Sequence, residues 1–317
     1  MRSLGTIFHL GDESGVLRTS IAITMLIAAF GIGFGLLSGS FSILFDGAYS
    51  LIDAGMSLLA LAVVRLIHSY THITSATRRL RERFTFGFWH LEPMALGLNG
   101  VLLIGVSAYA FFNAVSLILD GGRPLAFDLA ILYAVITLSA CTIAAALEMR
   151  ANRRIRSDFI ALDARAWIMS ASITLALLLA FCIGAAIEGT AYGWVAPYVD
   201  PAVLALVCLI IIPLPVRTVK QALADILLVT PPELKAHVDA VAHDAVRTHG
   251  FLSFRAYVAK VGRAQQIELY FIVPADGPAR RIGEWDALRD EIGNAIGPDN
   301  PDRWLTIIFT ADLEWAE

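Results

Sequence analysis

Asp46, Tyr49 and Asp53 are separated by three and four residues, a spacing that lines all three along one face of a helix. The residues around them are mostly apolar. A carboxylate within a membrane helix costs about 2.5–3.5 kcal/mol on insertion scales, so by default it marks a functional position. A second segment opens in the same way, with Asp163, Ala166 and Ser170 at the same three-then-four spacing. The two texts, DGAYSLIDAGMS and DARAWIMSASIT, read as weak internal repeats. Opposed across a bundle, such faces would make a polar site at mid-membrane, as in transporters built from related halves. The plainer reading makes Asp46 and Asp163 helix-end groups, satisfied by water or by Arg165. Asp53 resists that reading, because the sequence after it stays free of charge through Val64.

Other candidates carry less. His68 and His72 are four apart, a spacing able to hold one metal, but they adjoin a basic loop and are expected to be solvated. His237, His243 and His249 recur every six residues, which does not keep them on one face of a straight helix; they are expected at the surface. Glu92 precedes Pro93 and suits a helix N-terminus. Cys141, Cys182 and Cys208 share no close spacing, so neither a disulfide framework nor a cysteine zinc site is expected.

The elements that position these residues follow from composition. The 317 residues are 57% hydrophobic and 16% charged, against roughly 45–50% and about 25% in soluble domains. The net charge of −4 argues against a nucleic-acid partner. A membrane-spanning helix needs about 20 predominantly apolar residues, and helices are predicted near 17–38, 41–65, 92–119, 127–149, 158–186 and 199–217. The first long apolar run is divided because Gly35, Ser38, Gly39 and Ser40 cluster within it. The apolar stretch after Arg18 is too long for a signal-peptide core, so no cleavable signal is expected.

Arg65, Arg78, Arg79, Arg81 and Arg83 follow the second helix, and Arg150, Arg153, Arg154 and Arg156 follow the fourth. The opposite connections hold only Arg123, so the positive-inside bias predicts cytoplasmic termini. Tyr192, Trp194 and Tyr198 suit an aromatic anchor at the outer interface.

Residues 218–317 carry nearly half of the charged side chains. The predicted organisation is a cytoplasmic segment over 1–16, a membrane domain over 17–217, a linker over 218–230 and a cytoplasmic domain over 231–317. In the last, Pro231 and Pro232 open a helix that Gly250 ends. Strands follow near 252–261 and 265–273, then a helix at 283–296 and a strand at 304–311. The order αββαβ suggests a small α+β domain with helices on one sheet face.

These residues together resemble the cation diffusion facilitator family. The resemblance runs from about Leu17 to Trp315 and is carried by SFSILFDGAYSLIDAGMSLL, RFTFGFWHLEPMALGLNG, ADILLVTPP and DRWLTIIFTADLEWA. It implies a multi-pass α-helical protein of six transmembrane helices, with cytoplasmic termini and a C-terminal α+β ferredoxin-like domain that dimerises. It also implies a four-ligand transport site whose positions fall on Tyr49, Asp53, Ala166 and Ser170. Only Asp53 matches the family's usual ligand; Ala166 cannot coordinate, and Ser170 offers a neutral oxygen. Asp46, Asp163 and Glu92 match other acidic positions of the family.

Carboxylate, phenol, hydroxyl and water suit Mn²⁺, Mg²⁺ or Fe²⁺ more than zinc, which favours Cys and His. The expected function is therefore divalent metal efflux, by proton antiport and alternating access, as a homodimer in a bacterial-type inner or plasma membrane. Its partners would be the lipid bilayer, the cation and protons. No resident cofactor is expected, since the cation is cargo. Asp53 would be the principal ligand, Tyr49 and Ser170 would complete the shell, and Asp46 and Asp163 would line the cytoplasmic route. The alternative is a transport-incompetent relative acting through its cytoplasmic domain. An enzyme is not expected, because no nucleophile and base pair or phosphate loop is present.

Overall fold

A computed structural model describes residues 13–71, 87–155, 158–300 and 302–316. His72, Arg78, Arg79, Arg81, Arg83 and Arg156 lie outside the described residues, as do the side chains of Arg65 and His68. The element order is α1 (Glu13–Ser38), α2 (Phe41–Thr71), α3 (Leu91–Leu119), α4 (Phe127–Ile155), α5 (Asp158–Glu188), α6 (Ala196–Ile211), α7 (Val216–Ile226), α8 (Pro232–His249), β1 (Ser253–Val261), β2 (Ala264–Ile272), α9 (Ile282–Ile296) and β3 (Arg303–Thr310).

Five described segments are long and apolar enough to cross a membrane: Arg18–Ser38, Leu91–Leu119, Phe127–Ile155, Asp163–Glu188 and Gly193–Ile226. At 31 residues α2 also has the length, but Asp46 and Asp53 interrupt its apolar part. The stretch expected as a linker is largely helical, in α7.

The chain divides into two compact units, Met1–Leu58 with Asn99–Arg217 and Leu59–Leu98 with Thr218–Glu317. Within the first, the chain turns between α1 and α2 at Gly39, whose φ of +76° is in the left-handed region that glycine adopts without strain. The two helices then meet backbone to backbone. A Cβ on Gly35 would stand 2.6 Å from the Leu44 nitrogen, and one on Gly47 would stand 2.6 Å from the Ile32 nitrogen. Membrane helices associate through such small-residue seams, because lipid supplies no hydrophobic drive for them to pair.

The start of α2 is fixed from α6. The buried Asp200 carboxylate accepts the Ser40 hydroxyl at 2.6 Å and the Phe41 N–H at 2.9 Å. The Ser42 hydroxyl donates to the Asp200 carbonyl at 2.9 Å, and the Ser40 hydroxyl oxygen accepts the Ile43 N–H at 3.1 Å. A negative charge on orphan N–H groups at a helix start is favourable twice over, through hydrogen bonds and through the helix dipole. Asp200→Ala leaves these buried donors unpaired. The expected loss is about 2–4 kcal/mol, seen as a lower unfolding temperature in detergent, with Asp200→Asn losing less. An unchanged temperature would show that the cap is redundant.

In the second unit, Pro232 begins α8 and Gly250, at φ +69°, ends it. β1 and β2 pair antiparallel around Gly262 and Arg263, and β2 pairs parallel with β3, giving the sheet order β1-β2-β3. Ile267, Leu269 and Phe271 alternate onto one face and are fully buried against Val238 and Ala242 of α8 and Ile292 of α9. Each such Leu, Ile or Phe contributes roughly 1.5–3 kcal/mol. The αββαβ order and its boundaries follow the sequence expectation. A ferredoxin-like order begins with a strand, whereas the described part of this domain begins with α8 and has three strands.

Candidate metal site

The first unit encloses a cavity of about 300 Å³ between α1, α2, α5 and α6. Asp46, Tyr49, Asp53, Asp163, Ala166 and Ser170 all line it. The shared helical spacing in α2 and α5 therefore turns both faces toward one space.

Asp53 is exposed to that space, and the Asn99 side chain from α3 hydrogen bonds to it. The other polar atom of Asn99, Oδ1, is buried without a partner. One turn earlier Tyr49 is half-buried, with its ring 5.7 Å from that of Phe45. Across the cavity the Asp163 carboxyl interacts electrostatically with that of Asp53. Ser170 is half-buried, and its hydroxyl lies 3.6 Å from the Cys141 sulfur of α4. Ala166 faces the cavity with only a methyl group.

Asp46 lines the cavity and also has a partner from a neighbouring helix. Tyr133 of α4, itself fully buried, donates to it at 2.8 Å. Asp46 lies seven residues before Asp53 along α2, about 10 Å of helix rise, toward the end where α1 stops and α4 begins. Asp163 lies near the start of α5, at the other end. The two acids thus flank Asp53 from opposite sides within the one cavity. Arg165 is exposed, and among the described residues no salt bridge involves Asp46, Asp53 or Asp163. Nor do three or more His, Cys, Asp or Glu side chains gather in a metal cluster among the described residues.

Glu92 does more than face a helix start. In the second unit Arg263, at the β1–β2 turn, holds it with two hydrogen bonds of 2.8 and 3.3 Å. The neighbouring Gly262 adopts φ +61°, and a Cβ there would come within 3.1 Å of a Glu92 carboxylate oxygen. His237 and His243 are exposed as expected. His249 is half-buried, because it packs beside Phe251 and reaches Glu291 at 3.3 Å.

Sequence reasoning passed over Asn99 and Tyr133, and it placed Cys141 in no site. The charge-free run from Pro93 to Leu119 holds two amides, Asn99 and Asn113, which were a usable signal for Asn99, since a buried amide needs partners. Nothing in the local sequence distinguishes Tyr133 or Cys141.

A cavity walled by membrane-length helices and lined by three carboxylates narrows the comparison with known proteins. Residues 17–227 match the model of the cation efflux transmembrane domain. The chain belongs to the cation efflux family.

It is therefore an integral membrane protein of the cation diffusion facilitator type. Among curated relatives, the zinc transporter ZitB of Pectobacterium atrosepticum is 32% identical over 115 residues, 35% of this chain and 33% of the relative. The metal cation efflux system protein CzcD of Cupriavidus metallidurans is 26% identical over 106 residues, 33% of this chain and 31% of the relative. The matched stretches thus span about a third of each relative's length.

Proposed function

We propose that this cation efflux family member exports divalent metal cations by alternating access, in exchange for protons. The observation that carries the reading is the single cavity in which Asp53 is open and flanked by Tyr49, Asp163 and Ser170. Asp53 is the principal ligand, Tyr49, Ser170 and water complete its shell, and Asp163 receives the cation on the cytoplasmic side. A cation bound there displaces protons, because ligands must be deprotonated to coordinate. The donors are oxygens, which favours Mn²⁺, Fe²⁺ or Mg²⁺ over zinc. The zinc named for one relative supports the metal class only.

The same reading makes α2 the sixth span, puts both termini in the cytoplasm of a bacterial-type inner membrane and divides the chain at about residue 217. The αββαβ domain is a ferredoxin-like module one strand short, and it pairs the chain as a homodimer. Purified protein in vesicles tests the proposal: a proton gradient should drive flux of at least one of Mn²⁺, Fe²⁺, Zn²⁺, Co²⁺ or Mg²⁺. Absence of flux for all five sinks it.

Ala166, which cannot coordinate, favours a second reading. In it the chain is transport-incompetent and works through its cytoplasmic domain with a protein partner. Asp53→Ala separates the two, since a regulatory subunit keeps its phenotype when that carboxylate is lost.

A further inference from the structure

We infer that Glu148, Asp163 and Ser20 form a second cation-binding site in the first unit, distinct from the Asp53 carboxylate. The inference rests on the chain being a cation carrier and extends that reading to residues outside the matched ligand positions.

Glu148 of α4 is 4% exposed. One carboxylate oxygen, Oε1, accepts the Trp167 indole N–H at 3.1 Å, and the same N–H reaches the Ser20 hydroxyl oxygen at 2.8 Å. The indole thus holds a hydroxyl from α1 beside a carboxylate from α4. The other oxygen, Oε2, is buried and has no hydrogen-bond partner among the described residues. Asp163 of α5 adjoins the same carboxyl, as does the Ser20 side chain.

Two adjoining acids, one of them buried, share a proton unless a cation takes its place. No salt bridge among the described residues supplies that cation, and Arg18, Arg150 and Arg165 are exposed. A carboxylate with an empty acceptor, a second carboxylate and a hydroxyl is an all-oxygen donor set, suited to a hard divalent cation. Asp163 also lines the cavity that holds Asp53, so a cation can pass from one site to the other. Trp167 is a positioning residue here, since it touches the donors and not the ion.

The test titrates Mn²⁺ onto the full chain in detergent and counts bound ions by electron paramagnetic resonance. Wild type should hold two Mn²⁺ per chain. Glu148→Gln should hold one, with the Kd of the remaining site unchanged, and Asp163→Asn should lose the same ion, which covers a Glu148 variant that fails to fold. Trp167→Phe keeps the ring but lacks the N–H. It should weaken the second site about tenfold, as loss of an outer partner does, and leave the first untouched. Two ions retained by both carboxylate variants, or one ion in wild type that only Asp53→Asn removes, overturns the inference while leaving the Asp53 reading intact. Conversely, if Asp53→Asn keeps both ions and Glu148→Gln loses one, the proposed Asp53 ligand fails and the second site stands.

Discussion

Asp53→Ala should reduce cation flux in vesicles by on the order of 100-fold or more, without lowering the unfolding temperature. The first half follows from donor chemistry. Removing a partner that merely orients a ligand typically costs 10–100-fold in metal affinity, so removing the ligand carboxylate itself should cost at least the upper end of that range. Tyr49 and Ser170 are neutral, and Ala166 offers nothing to replace the lost charge. The second half follows from position. Asp53 is open to the cavity and takes its hydrogen bond from Asn99 alone in the described hydrogen-bonding pattern, so truncation unpairs only the Asn99 amide, which water in the cavity space left by the carboxylate can take up. Asp53→Asn sharpens the result, because it keeps the shape and loses only the charge. Flux surviving in both variants would remove the carboxylate from the mechanism.

Ala166→His combined with Ser170→Asp should tighten zinc binding on the order of 100-fold, measured by calorimetry on the purified protein. Zinc favours imidazole nitrogen and carboxylate in a tetrahedral shell, and the double change adds one of each to the cavity wall opposite Asp53. Room exists for both, since Ala166 is exposed and both positions border the open space. The comparison is internal to one scaffold, so a gain assigns the selectivity of this chain to its donor atoms. Zinc affinity that stays at the wild-type value means these two positions do not face a bound cation.

Much of this architecture was legible in the residues. The divide between α1 and α2 at Gly39, the αββαβ order with its proline start and glycine stop, and the shared face of Asp46, Tyr49 and Asp53 each rest on local chemistry acting over a few residues. What escaped was pairing across helices. Asp200 capping α2, Tyr133 serving Asp46 and Trp167 bridging Ser20 to Glu148 join positions 160, 87, 147 and 19 residues apart. Such pairings depend on how each helix is rotated about its axis. In a soluble helix the apolar stripe gives that rotation, but a membrane helix is apolar on every side and its sequence leaves the angle open. The place of Asp46 in the bundle depends on the same angle. Its spacing gave a face, while the end of the bundle it served depended on the direction of α2 and on Tyr133.

The glycine contacts of α1 with α2 bear on how these helices can move. Where two rods touch through main chain, with no side chains between them to swing aside, neither slides along the other without opening a gap. Gly35 against Leu44 and Gly47 against Ile32 therefore weld the pair into one lever, and the carboxylate at position 53 rides on it. Any stroke that exposes that carboxylate first to one compartment and then to the other must swing the first helix as well, and the pivot belongs on the far wall of the cavity.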